Sequence, residues 1–535
     1  MKYLHLDSIC NNVVLLLVVL LLLSGCAVNG EEETVITVSP GTAVVTLGDT
    51  EQFSVTPAGT TVTWSVNGIL GGNEGTVGTV DADGKYTAPS DDDAAPEKVI
   101  VRAADTTTGL SSSAIAFLTT FDANKRLTTH YTAGTSKSNT YSSGQKNIAV
   151  FKDTDAGVVN VYAVWSDNSS GLYKVYFTKS VDGGSSFDVP VLVDDTSSGE
   201  QFSPALAADG TGDIFIVWED RGQGDADIFL RKYDSVTGFE TKKQINADTT
   251  GITDYDTSPS IAISSDEIYV TWEHRENSGE NIPDIYFAWS SNLGDTFPVK
   301  SSLSVSGRRP VVAMDPSGVA YVAWEYLGEL NPFPSVPTHI RLRKVSGGTP
   351  GASLDLEVAT GYNARFPSIV VDPVCNTAGD TICEVYVVWQ RADITDPKFV
   401  SEVINSYDID LAIVNGGTLS LISTTLSVTD SGSSGFFGGA AYPAIAADDT
   451  NIYMVWDDWR NGTKDIYFAK SSDGSVFTTN RIVNDDTDNS SGVTWHEKPG
   501  IAVADGKAYV IWTDFRNTQL STTASPNDVF FAVEQ

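Results

Sequence analysis

The chain alternates short apolar runs with polar turns, and one kind of run keeps returning. Seven times an apolar stretch ends in tryptophan: VYAVW, IFIVW, IYVTW, AYVAW, VYVVW, IYMVW and AYVIW close on Trp165, Trp218, Trp272, Trp324, Trp389, Trp456 and Trp512. Successive tryptophans lie 52 to 67 residues apart. Upstream of most comes a second run that starts at or just after a proline, as in PALAAD, PSIAIS, PVVAMD, PSIVVD and PAIAAD. Short apolar runs bounded by Gly, Pro, Asn and Asp predict strands. Each unit reads as four strands, A to D. In the sixth they are Pro443–Ala447, Ile452–Trp456, Asp465–Ala469 and Thr479–Asn484.

One small sheet cannot bury both of its faces. Sheets repeated around an axis can, and a period of this length with several strands per unit predicts a β-propeller. The seventh unit stops at its third strand, Asp528–Val533, and the chain ends at Gln535. Before the first unit lies Asn124–His130, which resembles fourth strands such as Asn480–Asn484. It is expected to complete the last blade and close the ring, removing an exposed sheet edge. Residues 120–535 are therefore expected to form a seven-bladed propeller closed by an N-terminal strand. Residues 34–119 read differently, as seven or so short strands separated by turns, which is a sandwich pattern. VSPGTAVVTLGDTEQFSV, the WSVNG around Trp64 and GTVDADGKYTAP resemble the bacterial Ig-like domains of surface proteins. That resemblance implies a stalk. The fold class is all-β: an Ig-like β-sandwich followed by the propeller.

The N-terminus reads as a targeting segment. Val13–Leu23 is an unbroken apolar run, short for a bilayer span and suited to a signal peptide. Leu23-Ser24-Gly25-Cys26 follows it directly and resembles the lipobox of bacterial lipoproteins. The resemblance implies that residues 1–26 are a signal peptide with Cys26 as the lipidated residue, and that 27–33 are an acidic spacer. Acyl chains on one cysteine anchor a protein without a transmembrane helix. The implied location is the cell envelope, at the outer membrane or cell surface, since Ala27 rather than Asp follows Cys26. Cys375 and Cys383 flank one loop of the fifth unit. In an oxidising compartment they are expected to form a disulfide, because no further Cys or nearby His would complete a metal site. The net charge is −36, from 33 basic and 69 acidic residues. Such a field repels nucleic acid and anionic headgroups, so contact with the membrane is expected through the lipid anchor only.

Three sets of residues bear on chemistry. Ser180-Val-Asp182-Gly-Gly184-Ser-Ser-Phe187, Ser290-Ser-Asn292-Leu-Gly294-Asp-Thr-Phe297 and Ser471-Ser-Asp473-Gly474-Ser-Val-Phe477 resemble the Asp-box of sialidases and other propellers. These turns are folding devices, in which Asp accepts backbone N–H groups and Gly permits positive φ. The loops after strand B carry Asp167, Asp220, Arg221, Arg275, Arg391, Asp458, Arg460, Asp514 and Arg516, often as W-x-D-x-R. With Trp495 they form the candidate ligand face. Arg forks suit carboxylates and sugar hydroxyls. The alternative is an Asp–Arg ladder between blades, which repetition favours. The same face adds aromatics for stacking on sugar rings (Tyr255, Phe436, Phe437, Trp459 and Phe515) and, in a D–A loop, a cluster, Asp485, Asp486 and Asp488, of the oxygens Ca2+ takes. A solvated loop is the other reading.

The resemblance to sialidases covers the fold and the Asp-boxes. An early Arg-Ile-Pro-like motif is missing; Arg309-Pro310 and Arg365-Phe366-Pro367 come nearest. No Tyr–Glu pair is identifiable from spacing, although folding can assemble one. The leading expectation is a surface-anchored binding head for a glycan or a surface protein. The alternative is a sialidase-like glycoside hydrolase or lyase, and a third reading is an envelope scaffold.

Overall fold

The computed structural model describes residues 35–128, 137–141, 143–196, 198–222, 224–246, 254–276, 282–328, 338–356, 362–375, 383–393, 407–425, 439–486, 495–516 and 527–535. The expected signal peptide, Cys26 and the spacer lie outside the described residues, as do Phe436, Phe437 and Asp488. Among the described residues no helix is long and apolar enough to cross a membrane.

Among the described residues every regular element but one short 3-10 turn is a strand. Residues 37–119 form sheets of five, four and two strands. Their shared core includes Phe53, Trp64, Tyr86, Val99, Val101 and Leu118. The Asp81 loop is a turn: Asp81 Oδ1 accepts the N–H groups of Asp83 and Lys85, each at 2.9 Å.

The rest folds into seven antiparallel sheets, each running from an inner strand A to an outer strand D. Blade 6 is Ala440–Ala447, Ile452–Asp458, Asp465–Ser471 and Arg481–Ile482. Blade 7 has His496–Ala504, Lys507–Asp514 and Asp528–Val533, and Lys125–Arg126 pairs with the last of these as its fourth strand. The ring is thus closed by a strand from before blade 1, as the truncated seventh unit requires. The repeated tryptophans are at most 2% exposed. Five of them face an aromatic ring on strand C at 5.9 to 6.3 Å: Tyr176, Phe229, Tyr286, Tyr467 and Phe530. Burying a tryptophan is worth about 3–5 kcal/mol against alanine, so this repeat is the main internal brace.

The Asp-box turns hold as local devices. Asp182 Oδ1 accepts Ser186 N–H at 2.8 Å, and Ser180 Oγ accepts Gly184 N–H at 2.9 Å. Phe187 meets Phe531 of the neighbouring blade edge-on at 4.9 Å. Gly184 sits at φ +86, and a Cβ there would strike the Phe531 ring at 2.6 Å. Blade 3 repeats the turn with Asn292, and blade 6 with Asp473. Cys375 and Cys383 are disulfide-bonded.

The sandwich is fastened to blade 6. Arg481, 1% exposed, donates to Asp92 Oδ1 and to the carbonyls of Asp92, Ala95 and Pro96 at 2.7 to 2.9 Å. Thr119 Oγ1 donates to the Ile482 carbonyl, and Tyr467 hydroxyl reaches Glu97 at 3.2 Å.

Candidate functional site

Strand A starts earlier than its proline suggested. In blade 6 it begins at Ala440, three residues before Pro443. Proline has no N–H for the ladder, so strands accommodate it at a bulge. Six inner strands break register around their proline: Phe202/Ala205, Thr257/Ser260, Arg308/Val311, Arg365/Ser368, Ala441/Ala444 and Glu497/Gly500. The residue just before each proline has positive φ: Ser203, Ser258, Arg309, Phe366, Tyr442 and Lys498, at 49 to 57°. Gln145 holds the matching place in blade 1, at φ 56°.

These bulges lie at the end of the axis that also carries the B–C and D–A loops. A second repeat secures them. In four blades the residue after the tryptophan reaches the next blade. Glu273 accepts Arg309 N–H at 2.9 Å, Glu325 accepts Phe366 N–H at 2.7 Å, and Asp457 accepts Lys498 N–H at 3.1 Å. From blade 7 to blade 1, Thr513 Oγ1 accepts Thr140 N–H at 3.0 Å. Three of these rungs run from a carboxylate to a bulge N–H.

The W-x-D-x-R motif works within one loop instead. Asp514 accepts Trp512 Nε1 at 2.9 Å and the Nε of its own Arg516 at 3.0 Å; Asp458 does the same for Trp456 and Arg460. The arginines then lie on aromatic rings, Arg460 over Tyr467 and Arg516 over Phe530 at 4.0 to 4.2 Å. Arg391 lies over Tyr362 and bonds Asp408, and Arg221 lies over Phe202 and pairs with Glu219. Arg275 pairs with Glu273. Asp167 accepts Ser138 Oγ, and Asp220 accepts Gln201 Nε2 and Gly222 N–H. Arg460 also faces Glu97 of the sandwich at 3.5 Å. In blades 6 and 7 the ladder expected between Asp and Arg of neighbouring blades is replaced by a lock inside the loop, because a two-residue spacing folds the Arg back on its own Asp; Arg221, Arg275 and Arg391 pair with acids of their own blades.

The acidic loop splits its candidates. Asp485 pairs with Arg516 and accepts Asn124 N–H. Asp486 turns inward to His496, whose Nε2 lies 2.7 Å from Asp486 and 3.4 Å from Asp514. Asp486, His496 and Asp514 offer ligand atoms within 4.8 Å of one another. Blade 2 shows what this grouping does structurally. There Gln201 opens strand A and its amide bridges Asp194 and Asp220 at 3.3 and 3.1 Å. His496 holds the same place between Asp486 and Asp514, with Nδ1 2.9 Å from the Lys464 carbonyl. Both ring nitrogens face acceptors, so the imidazolium fits. Burial alone would lower the His496 pKa, but Asp514, Asp486 and Asp465 outweigh it and raise it to about 9. A divalent ion would have to displace that proton beside Arg516.

At the axis the turn Ser143–Gln145 and the two residues after it lie across the mouth. Ser368 Oγ donates to the Gly144 carbonyl at 3.1 Å, and Lys146 Nζ donates to the carbonyls of Val312 and Ile261. Gly144 is at φ +66, and a Cβ there would lie 2.6 Å from Val311. Burial without a facing carboxylate lowers Lys146 to about 8. Behind this plug the channel keeps about 320 Å³. In front, Tyr141, Arg309, Phe366 and Tyr442 line a dip of about 10 Å³, room for about one water. A larger ligand must sit on this surface.

One sector of the mouth is chemically dense. Arg309 Nη1 donates to both oxygens of Glu325 at 2.8 Å, and its Nε donates to Tyr141 hydroxyl at 3.2 Å. Its guanidinium lies 4.2 Å from the Phe366 ring, and Phe366 lies 4.3 Å from Tyr442. Lys464 bridges Asp457 and Glu497 at 3.3 and 3.2 Å, and Lys498 pairs with Glu497. Burial raises the Tyr141 pKa; Glu273 and Glu325 add to this and Arg309 opposes it. Burial also raises Asp457 to about 6. Lys464 pulls Asp457 down, but burial, with Glu497 beside it, outweighs that pull. The opposite sector carries only Gln145, Ser203 and Ser258 at the bulges. Sequence reasoning missed this ring. Its signal was the residue before each proline, which varies from blade to blade.

No family model and no curated protein matches the chain. Solved structures similar to it include Hadza microbial sialidase Hz136, 13% identical over 69% of this chain and 73% of that one, with a TM-score of 0.38. Polysaccharide lyase Uly1 is 13% identical over 82% and 85%, with a TM-score of 0.34. The α-L-arabinofuranosidase Arb93A from Fusarium graminearum is 11% identical over 66% and 98%, with a TM-score of 0.41. At scores this low the likeness carries no residue role across.

Proposed function

We propose that the propeller is a carbohydrate-active head, a glycoside hydrolase or lyase of sialidase-like type, working at the axial mouth. The observation that carries this is the Tyr141–Arg309–Glu325 constellation beside the Phe366 and Tyr442 rings. A left-handed bulge position suits small residues; arginine, phenylalanine, tyrosine and lysine there are strained, and strain of this kind gathers at working sites. The aromatic rings offer faces for sugar rings. Arg309 Nη2 meets no acceptor among the described residues and can receive a sugar carboxylate. The raised Tyr141 phenol stays protonated near neutral pH, able to give a proton to a leaving oxygen. Asp457, poised near pH 6, can exchange one.

A second reading, a glycan-binding head without turnover, is favoured by the shallowness of the mouth. The anchored location and the Ig-like stalk belong to the same proposal, with the head held off the envelope. The test is a fluorogenic glycoside and polysaccharide panel, sialosides included, with the chain from Ala27, which contains every described residue. Turnover is expected to fall at least about a hundredfold in Arg309→Ala. Turnover that survives this change would move the site elsewhere. Binding without turnover would favour the second reading.

A further inference from the structure

On the far side of the plug the axial channel is a cavity of about 320 Å³, walled by the inner strands of all seven blades. Its lining reaches the last residue of four of these strands, Ala208, Met314, Val371 and Ala447. The channel therefore runs out to the face of the A–B turns, opposite the mouth, and the plug closes its inner end. At Ser368–Val371 four successive residues line it, which corresponds to about 10–13 Å of depth. Apart from the plug and Ser368, the lining is Ala, Val, Leu, Ile and Met. Among the described residues that line it, Lys146 alone carries a charge. In a chain with net charge −36, the one charge on this channel is a cation.

Lys146 is held in place from three blades. Leu206 N–H of blade 2 donates to its carbonyl at 2.8 Å. Its side chain reaches across from the entry of blade 1 to blades 3 and 4, where Nζ donates to the carbonyls of Ile261, at 3.4 Å, and Val312. An ammonium has three N–H groups, and the third meets no acceptor among the described residues. No carboxylate offsets the burial of this charge. A buried charge without a partner is costly. An anion in the channel would supply both the missing acceptor and the missing charge, at a site that is already ordered.

We infer that the channel is a binding site for an unbranched aliphatic monocarboxylate, with its carboxylate on Lys146 and its chain lying along the walls toward the A–B face. One remaining N–H and one unmatched charge suit a single carboxylate. The walls set the rest of the ligand. Ser368 Oγ is already engaged, with the Gly144 carbonyl and the Ile445 N–H. A sugar acid would therefore bury hydroxyls against apolar walls that offer them no partner. An alkyl chain instead removes those walls from water. A metal cation would meet the ammonium. The depth suits a chain of medium length. This site is separate from the mouth and does not rest on the carbohydrate reading of it.

The test titrates the chain from Ala27 by calorimetry with hexanoate, octanoate and decanoate, and with octanol and octylammonium. Each buried methylene strengthens binding about fourfold. Octanoate is thus expected to bind at least about tenfold more tightly than hexanoate. Octanol should bind at least about tenfold more weakly than octanoate, and octylammonium more weakly still. The place of binding is read from methionine methyl resonances in the same protein. Met314 lines the channel, whereas Met454, the other methionine beyond Ala27, is buried in the core of blade 6. Octanoate should shift the Met314 methyl and leave that of Met454. Lys146→Leu should bring octanoate down to the level of octanol; the ligand series and the methyl shift decide the matter even if this variant does not fold. Octanol or octylammonium binding as tightly as octanoate would overturn the role of Lys146, and the proposal with it. Affinity independent of chain length, a Met314 methyl unmoved while octanoate binds, or failure of every carboxylate to bind would overturn the channel as the site.

Discussion

His496→Gln should flatten the dependence of stability on pH between about 6.5 and 9. In the folded chain the imidazolium is held at a pKa of about 9 by Asp514, Asp486 and Asp465. Unfolded, it returns to about 6.5. The folded state thus binds the proton more tightly. That contribution is fully present below about pH 6.5, declines as pH rises, and is gone above about pH 9. A shift of this size corresponds to about 3 kcal/mol. The measurement is the urea midpoint of both proteins from pH 6 to 9.5. Their difference isolates His496 from the repulsion that the acidic chain accumulates anyway. Glutamine is the informative replacement, because Gln201 already bridges Asp194 and Asp220 in blade 2. His496→Leu should cost about 3–5 kcal/mol at pH 7, since it leaves buried carboxylates facing one another. An unchanged slope in the glutamine variant would mean the ring is neutral.

Arg481→Ala should uncouple the sandwich from the propeller. The side chain is buried and gives four hydrogen bonds to residues 92–96, three of them to carbonyls with no other role in the joint. Its removal leaves those acceptors buried and empties the volume of the longest side chain at the contact. About 3 kcal/mol is expected, split between lost bonds and lost packing. Calorimetry should show one unfolding transition resolving into two, with the sandwich melting first. Asp92→Ala should cost less, because the carbonyls still receive the guanidinium. A single unshifted transition in Arg481→Ala would show that Thr119 and Glu97 hold the joint without it.

The propeller was legible because its brace is a large, rare residue. Tryptophan closes the apolar run of strand B in all seven blades, although the strand itself continues at least two residues further, and a repeated Trp needs no alignment to be seen. The closing strand was legible for the complementary reason: the last unit lacked a partner and the first had a surplus. The mouth was not. Its positions are defined by backbone geometry, a bulge before proline, and the side chains there share no type. The arginines after strand B drew attention because they repeat; Arg460 and Arg516 neutralise the Asp under their own tryptophan, while Arg221, Arg275 and Arg391 pair with Glu219, Glu273 and Asp408. The plug left no pattern either. Tyr141 and Lys146 are set against Arg309, Ile261 and Val312 only once seven blades have closed.

The bulge positions also say how such a head can change its preferences. At Arg309, Phe366 and Lys498 the socket's backbone is fixed from the neighbouring blade by the residue after the tryptophan, whatever side chain it carries. Ser203 and Ser258 fill two sockets with almost nothing. An aromatic or basic residue placed there would reach the axis without disturbing a strand, a core or a rung. Seven replaceable teeth around one opening give the lineage of this protein a way to retune what it holds one substitution at a time.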